Sequence, residues 1–190
     1  MGGCRAEAQH TYMDMPETVS FYRRKLPHWR VCNRTYFVTF RLYGTIPKHV
    51  IQSLKERLAS IPKDDPERLL QFQRYEFQKI EKILDNSNNK ANYLEKPEVA
   101  KIIYEAFLRM EKEHGWIFPA IVVMPNHVHC LCSGRNATIS FDRMVRRLKG
   151  STACKANLVL GRRGNPFWSQ ESFDHWCRTP EKVESIKKYI

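Results

Sequence analysis

The sequence feature that most restricts the fold is a long apolar segment followed directly by a short alternating one. Residues 117–124 read IFPAIVVM, an apolar run that suits a central β-strand and is too short to span a membrane. Pro125 and Asn126 form a turn signal, and residues 127–132 alternate as a returning strand does. These residues predict a β-hairpin.

Apolar patterns elsewhere predict an α+β fold. Taken in order, the elements are strand, helices, strand, strand, helix, strand and helix. With the helical stretch 47–114 counted as one crossover, this order is βαββαβ. We therefore expect a ferredoxin-like antiparallel sheet with helices packed on one face and a helix at the C-terminus. Outside the hairpin, strands are predicted at 35–42 and 167–177, and helices after Pro47, at 67–84, at 97–114, at 140–160 and from Pro180.

Length and composition predict one domain. The chain has 190 residues, of which 42% are hydrophobic, and this is enough to build a core. Residues 1–30 are polar and are expected to form an irregular N-terminal arm. Residues 31–190 then form a single domain with a helical insertion at about 60–95.

The charge balance indicates a polyanionic partner. Lys and Arg number 32 against 20 for Asp and Glu, which gives a net charge of +12. This excess favours nucleic acid over an anionic membrane surface or an acidic protein, since phosphate contacts release counterions. No secretory signal or membrane span is visible, and the six cysteines form no C-x-x-C pair. We expect a cytoplasmic protein with no membrane partner.

Two histidines stand two positions apart on the predicted returning strand. Side chains at i and i+2 of a strand point to the same face, so His127 and His129 can both reach one divalent ion. The alternative is a pair of ordinary hydrogen-bonded histidines. Imidazole ligands do not identify the metal, because they also suit zinc.

A tyrosine near the end of the last predicted helix is a candidate nucleophile. Helical spacing puts Tyr189 on one face with Ser185, beside basic residues. A phenol with a pKa of about 10 is a weak nucleophile at neutral pH. A metal ion would help mainly by polarising a phosphodiester. The alternative is that Tyr189 only packs its helix onto the sheet.

For each of the other candidate site residues, a purely structural role is the alternative. The predicted basic helix either contacts DNA or presents a solvated face. An aromatic residue of the following strand either stacks on bases or packs in the core. An Asp-His pair on that strand can place only one side chain at the site, because neighbouring residues point to opposite faces. These residues are Arg143, Arg146, Arg147, Lys149, Trp168, Asp174 and His175.

Several of these segments together resemble one family. The run IVVMPNHVH at 121–129 is similar to the "HUH" motif of the REP-associated tyrosine transposases, within the single-tyrosine transposase superfamily. The similarity covers about residues 22–190, and the order and spacing of its segments are specific. The other similar segments are 26–29, the first strand at 36–42, the basic helix at 147–150, the last strand at 168–175 and the tyrosine helix at 189–190.

The resemblance implies a chemistry. His127 and His129 would bind Mg²⁺ or Mn²⁺, and Tyr189 would attack single-stranded or hairpin DNA, typically a repetitive extragenic palindrome. The product would be a 5′-phosphotyrosine and a free 3′-OH, which can later rejoin the strand. In the family, a polar side chain one turn beyond the tyrosine can complete the metal site. The sequence ends at Ile190 and leaves the third ligand open.

Three other functions remain open from the residues alone. A non-catalytic nucleic-acid-binding module would use the basic and aromatic residues without needing the histidines and tyrosine together. A zinc-dependent hydrolase would activate water and form no covalent adduct with DNA. A plasmid-type replication or relaxase nuclease would share the chemistry and differ in substrate. Both a monomer and a homodimer fit the sequence.

Overall fold

A computed structural model describes residues 18–23, 27–31, 33–62, 65–86 and 91–190 of the chain. None of the helices in these ranges is long and apolar enough to cross a membrane. The elements are β1 (Thr18–Arg23), β2 (Pro27–Val31), β3 (Thr35–Arg41), α1 (Lys48–Ala59), α2 (Pro66–Leu84), a 3₁₀ turn (Tyr93–Glu95), α3 (Pro97–His114), β4 (Ile117–Val123), β5 (His127–Ser133), α4 (Phe141–Val159), β6 (Phe173–Trp176) and α5 (Pro180–Tyr189).

Four strands form the central antiparallel sheet, in the order β4-β5-β3-β6. The predicted hairpin is β4 and β5, joined at Pro125 and Asn126. Strand β3 pairs with β5 on one side and with β6 on the other. This order is that of a split βαββαβ sheet, so the predicted fold is confirmed. It also makes β5, the strand that carries the two histidines, a central strand.

Helices α3 and α4 cover one face of the sheet. Alternate residues of β3 and β5, including Val38, Phe40 and Val128, are buried against Phe107 of α3 and Met144 of α4. The period of two along each strand sends the intervening residues to the other face. Central strands covered on both sides are buried at successive positions, and β3 and β5 show this pattern.

The second face is covered by α2 and α5, so the expectation of helices on one face only is wrong. Phe37 and Leu131 on this face pack with Phe77 of α2 and Ile186 of α5. Apolar periodicity shows that a helix has a buried side, but it does not show which face of a sheet that side meets. Helix α2, which covers part of this face, lies inside the predicted insertion at about 60–95.

Part of the N-terminal segment is regular, in contrast to the irregular arm expected for residues 1–30. Strands β1 and β2 pair as an antiparallel hairpin. Residues 1–17 and 24–26 of the arm lie outside the described residues. The Tyr36 hydroxyl of β3 accepts a hydrogen bond from the Val31 amide at 2.6 Å and donates one to the Val31 carbonyl at 2.9 Å. These bonds join the hairpin to the sheet.

Two glycines with similar left-handed backbones give a matched test of packing. Gly115 ends α3 at φ +67, and a Cβ there would lie 2.7 Å from the Asn136 carbonyl oxygen. Gly161 follows α4 at φ +65, with nothing within 4 Å of such a Cβ. We expect Gly161→Ala to lower the free energy of unfolding by about 1–2 kcal/mol. Gly115→Ala should cost at least about 1 kcal/mol more, because backbone must move. If urea unfolding shows the same loss of free energy for both variants, the close approach of Gly115 to the Asn136 carbonyl is contradicted.

Candidate active site

The two histidines of β5 point to the sheet face covered by α2 and α5. His127 and His129 are buried, and their Nε2 atoms lie 3.0 Å apart. Val128 between them points into the opposite core. The Nδ1 atom of His129 lies 2.9 Å from the Thr39 hydroxyl on the neighbouring strand. This contact orients the ring so that Nε2 faces His127.

Asn126, the second turn residue, holds the other ring. Its Oδ1 atom lies 2.6 Å from His127 Nδ1, and its amide nitrogen donates to the Leu84 carbonyl at 2.9 Å. Leu84 is the last residue of α2, so one buried amide connects the histidine hairpin to that helix. A ring nitrogen fixed in this way sets which nitrogen remains available to a metal ion.

Glu81 of α2 provides a third donor. Its Oε2 atom lies 3.0 Å from His129 Nε2, and the side chain is buried. Donor atoms of Glu81, His127 and His129 all lie within 4.8 Å of one another. The second carboxylate oxygen, Oε1, is buried and has no hydrogen-bond partner among the described residues. A buried oxygen without a partner is costly, and an ion bound here would satisfy it.

The donor set and its spacing fit a divalent cation. Two ligand atoms at right angles around an ion about 2.1 Å away lie about 3.0 Å from each other. Both the spacing of the two histidine nitrogens and the spacing from Glu81 to His129 have this value. The histidine spacing also fits a hydrogen bond between the rings, but the carboxylate with its unpartnered oxygen favours an ion. The carboxylate suits Mg²⁺ or Mn²⁺, and the imidazoles also suit Zn²⁺.

Electrostatics keep two of these donors in the form that binds a metal. Burial, and then the neighbouring His129, lower the pKa of His127 to about 4, although Glu81 acts in the opposite direction. Burial would raise the pKa of Glu81, but the interactions with His129 and the hydrogen bond from Tyr189 outweigh it and hold the pKa below its usual value. At neutral pH His127 is therefore neutral and Glu81 is ionised.

Tyr189, the last residue of α5, reaches this cluster. Its hydroxyl donates a hydrogen bond to Glu81 Oε2 at 2.9 Å, and its ring centre lies 5.8 Å from that of His129. The side chain is 56% exposed, so it is accessible to a large substrate. Burial of the hydroxyl, and then the bond to Glu81, raise the pKa of Tyr189. The Thr179 hydroxyl caps the start of α5 by accepting from the Lys182 amide, and Pro180 follows at the first turn.

Asp174 and His175 of β6 point to opposite faces of the sheet, as the two-residue period of a strand requires. His175 is paired with Phe37 in the sheet and lines a groove with Tyr189. Asp174 is paired with Val38 and is buried on the other side. Neither residue belongs to the three-donor cluster.

The predicted basic helix α4 lies on the face opposite Tyr189. Its Arg143 and Arg146 are exposed, and Arg147 donates to His114 Nε2 at 2.6 Å. The Lys149 amine donates to the Ser169 and Gln170 carbonyls at 2.7 and 2.8 Å, and burial lowers its pKa to about 8. The Trp168 indole donates to the Thr152 hydroxyl at 2.8 Å. These internal bonds favour a structural role for Lys149 and Trp168.

Glu81 was not predicted from the sequence. The available signal is a carboxylate on the buried side of an amphipathic helix, where α2 also buries Leu69, Phe72, Ile80 and Leu84. A buried carboxylate normally has a charged or metal partner. The helix pattern does not reveal that this partner is a strand far along the chain.

Comparison with known proteins gives the family. Residues 82–190 match the family model described as "Transposase IS200 like". Because this segment is more than half of the chain, the protein belongs to the IS200-like transposase family. The segment includes His127, His129 and Tyr189 and begins one residue after Glu81. No curated protein matches the chain.

One solved structure shows the same fold. A REP-associated tyrosine transposase bound to a REP hairpin superposes with a TM-score of 0.51 at 16% identity, over 90% of this chain and 70% of that chain. A Deinococcus radiodurans protein assigned as a transposase gives a TM-score of 0.46 at 14% identity, over 84% and 90% of the two chains. At this identity the first likeness shows the fold alone.

The position of Asn126 generates a stability prediction. Asn126→Ala leaves the Leu84 carbonyl and His127 Nδ1 without their buried partner, which should lower the free energy of unfolding by about 1–3 kcal/mol. Asn165→Ala is the control, because among the described residues this exposed side-chain amide bonds only to the nearby Arg162 carbonyl. It should cost less than about 1 kcal/mol. If both variants unfold at the same urea concentration, the bridge from the hairpin to α2 does not stabilise the site.

Proposed function

We propose that the protein cleaves and rejoins single-stranded DNA at hairpin elements, with Tyr189 as nucleophile and a divalent ion bound by Glu81, His127 and His129. One observation carries this proposal. The Tyr189 hydroxyl lies 2.9 Å from the carboxylate oxygen that lies 3.0 Å from His129. Tyr189 is 56% exposed and is also hydrogen-bonded to the buried cluster of candidate metal ligands. A nucleophile that must meet both a large substrate and a bound ion needs this placement.

The reaction exchanges one phosphodiester for another. The Tyr189 oxygen forms a bond to phosphorus and loses its proton, and the bond from phosphorus to the 3′ oxygen breaks. The departing 3′ oxygen takes up a proton and becomes a 3′-OH. The 5′ phosphate stays on the tyrosine, so attack by a 3′-OH reverses the step without ATP. When bound, a divalent ion supplies polarisation of the phosphodiester and stabilises the charge that develops there. Mg²⁺ and Mn²⁺ are the ions proposed.

Glu81 has two roles in this account. It is the third ligand, which the resemblance would have placed on the tyrosine helix, and it accepts the hydrogen bond that positions Tyr189. Its carboxylate therefore links the nucleophile to the ion site. The hydrogen bond to Glu81 holds the phenol of Tyr189 in place beside the ion site.

The DNA partner is supported by charge and by the structural likeness. The chain carries a net charge of +12, and the superposed REP-associated transposase is bound to a REP hairpin. We propose that hairpin DNA is also the substrate of this protein. The exposed Arg143 and Arg146 of α4 are proposed to contact phosphates away from the bond that is cleaved. Monomer and homodimer both remain compatible with this proposal.

A zinc-dependent hydrolase is the second candidate, because two histidines and a glutamate also form catalytic zinc sites. In that reaction, water attacks the phosphodiester and Tyr189 only packs. The two mechanisms differ in one product, the covalent bond between protein and DNA.

Replacing Tyr189 separates the two candidates. Tyr189→Phe removes one partly buried hydroxyl and its hydrogen bond to Glu81, so stability should fall by about 1–3 kcal/mol while the fold is kept. Cleavage of a labelled DNA hairpin with single-stranded flanks should vanish in Mn²⁺, together with the covalent adduct seen on a denaturing gel. Tyr104→Phe, at an exposed tyrosine on α3, should react as the unaltered protein does. Continued cleavage by the Tyr189→Phe variant would assign the attack to water.

Replacing Glu81 tests the ligand set. Glu81→Gln keeps the side-chain shape and an acceptor for Tyr189 but removes the negative charge. Mn²⁺ affinity measured by calorimetry should fall by about tenfold or more, since the charged oxygen is lost. Glu105→Gln, at an exposed glutamate on α3, removes the same charge and should leave the affinity unchanged. Equal affinities for the two variants would exclude Glu81 from the ion site.

A further inference from the structure

A groove beside Tyr189 has no part in the proposed reaction. It runs between α2 and α5 across the sheet, has a volume of about 570 Å³, and is lined by Phe37, Phe77, Phe173, Arg74, Lys182 and His175 among others. This volume lies within the range of about 300–1,000 Å³ that is usual for small-ligand sites. Tyr189 itself forms one wall, so the groove opens at the candidate nucleophile.

The floor of the groove is aromatic. The rings of Phe77 and Phe173 lie 4.9 Å apart, and Phe37 lies 5.5 Å from Phe77 at a steep angle. Phe37 is buried, whereas Phe77 and Phe173 are half-buried and line the open space. Partly exposed rings of this kind offer a flat apolar surface on which a nucleobase can stack.

The rim of the groove is positive. Arg74 of α2 and Lys182 of α5 are exposed on opposite sides, and neither forms an ion pair with a carboxylate among the described residues. Burial, and then the positive charges of Arg178, Lys182 and Arg74, lower the pKa of His175 to about 4. Arg74 and Lys182 both line the groove together with His175. Positive side chains around an aromatic floor are complementary to a ligand in which a phosphate is joined to a base.

We infer, resting on the proposed function, that this groove binds one nucleotide of the single strand next to the bond attacked by Tyr189. The base stacks against Phe77 and Phe173, and its phosphate lies between Arg74 and Lys182. An apolar ligand would leave the cations without a partner, and a free anion would leave the aromatic floor uncovered. Only a nucleotide uses both features. Because α2 forms one side, the inserted helix takes part in binding the substrate strand.

The test separates base binding from phosphate binding. All proteins carry Tyr189→Phe, so that no cleavage occurs. The probes are a fluorescein-labelled thymidine dodecamer and a dodecamer of abasic units with the same phosphates. Arg74→Gln with Lys182→Gln should weaken binding of both probes by about tenfold and reduce the salt slope by about 0.7, since one phosphate contact is lost and a single strand gives about 0.7 per contact. Lys101→Gln with Lys112→Gln, a charge-matched pair on α3, should change either affinity by less than about twofold.

Phe77→Leu should lower the affinity for the thymidine dodecamer by about fivefold or more. The affinity for the abasic probe should not change, because only a base can stack on the ring. A thermal unfolding curve checks that this variant is folded. In the protein with intact phenylalanines, a dodecamer carrying 5-iododeoxyuridine should crosslink under ultraviolet light to the peptide containing Phe77 or Phe173. Unchanged affinity in the Arg74 and Lys182 variant, or crosslinks only to other peptides, would overturn the inference.

The two proposals fail in different ways. If the protein with Tyr189 intact forms no covalent adduct but the groove variants bind weakly, the groove stands and the tyrosine chemistry fails. If the adduct forms and the groove variants bind as well as the charge-matched control, the chemistry stands and the groove fails.

Discussion

The contact between the Glu81 carboxylate and the His129 imidazole joins the helix α2 to the central strand of the sheet. Burying a carboxylate costs several kcal/mol unless a charge, a donor or an ion compensates it. Here one oxygen is bonded to His129 and Tyr189, while the other has no protein partner in the described residues. The helix can therefore pack on this face only by satisfying Glu81, and the same requirement brings together the donors and the tyrosine.

The proposed metal ligand on α2 changes how the site depends on the rest of the fold. With the third donor on a different helix from the nucleophile, movement of α5 can withdraw Tyr189 without removing a ligand. Asn126 adds a second connection, because it bonds both to His127 and to the end of α2. Displacement of α2 would disturb Glu81, Asn126 and the groove at once. The helix thus couples ion binding to the surface where we propose that the strand lies.

Local patterns predicted most of the fold and two of the three donors. The histidine pair follows from the two-residue period of a strand, which needs no knowledge of distant residues. The approach of Tyr189 to it came only from the family resemblance. Glu81 was missed because its partner is long-range, and helical periodicity cannot identify which buried carboxylate meets which strand. The same reason explains why the second layer of helices was not predicted. Pairing of β1 with β2 was missed because the arm lacks clear alternation.

The central claim is that Glu81, His127 and His129 bind one ion together. A crystal structure of the protein with Mn²⁺, recorded at the manganese absorption edge, tests it directly. We predict a single anomalous peak within bonding distance of the Glu81 carboxylate and of both Nε2 atoms, with the Tyr189 hydroxyl facing it. An anomalous peak held by the two histidines with Glu81 turned away, or no peak at this cluster while one occurs elsewhere, would contradict the account.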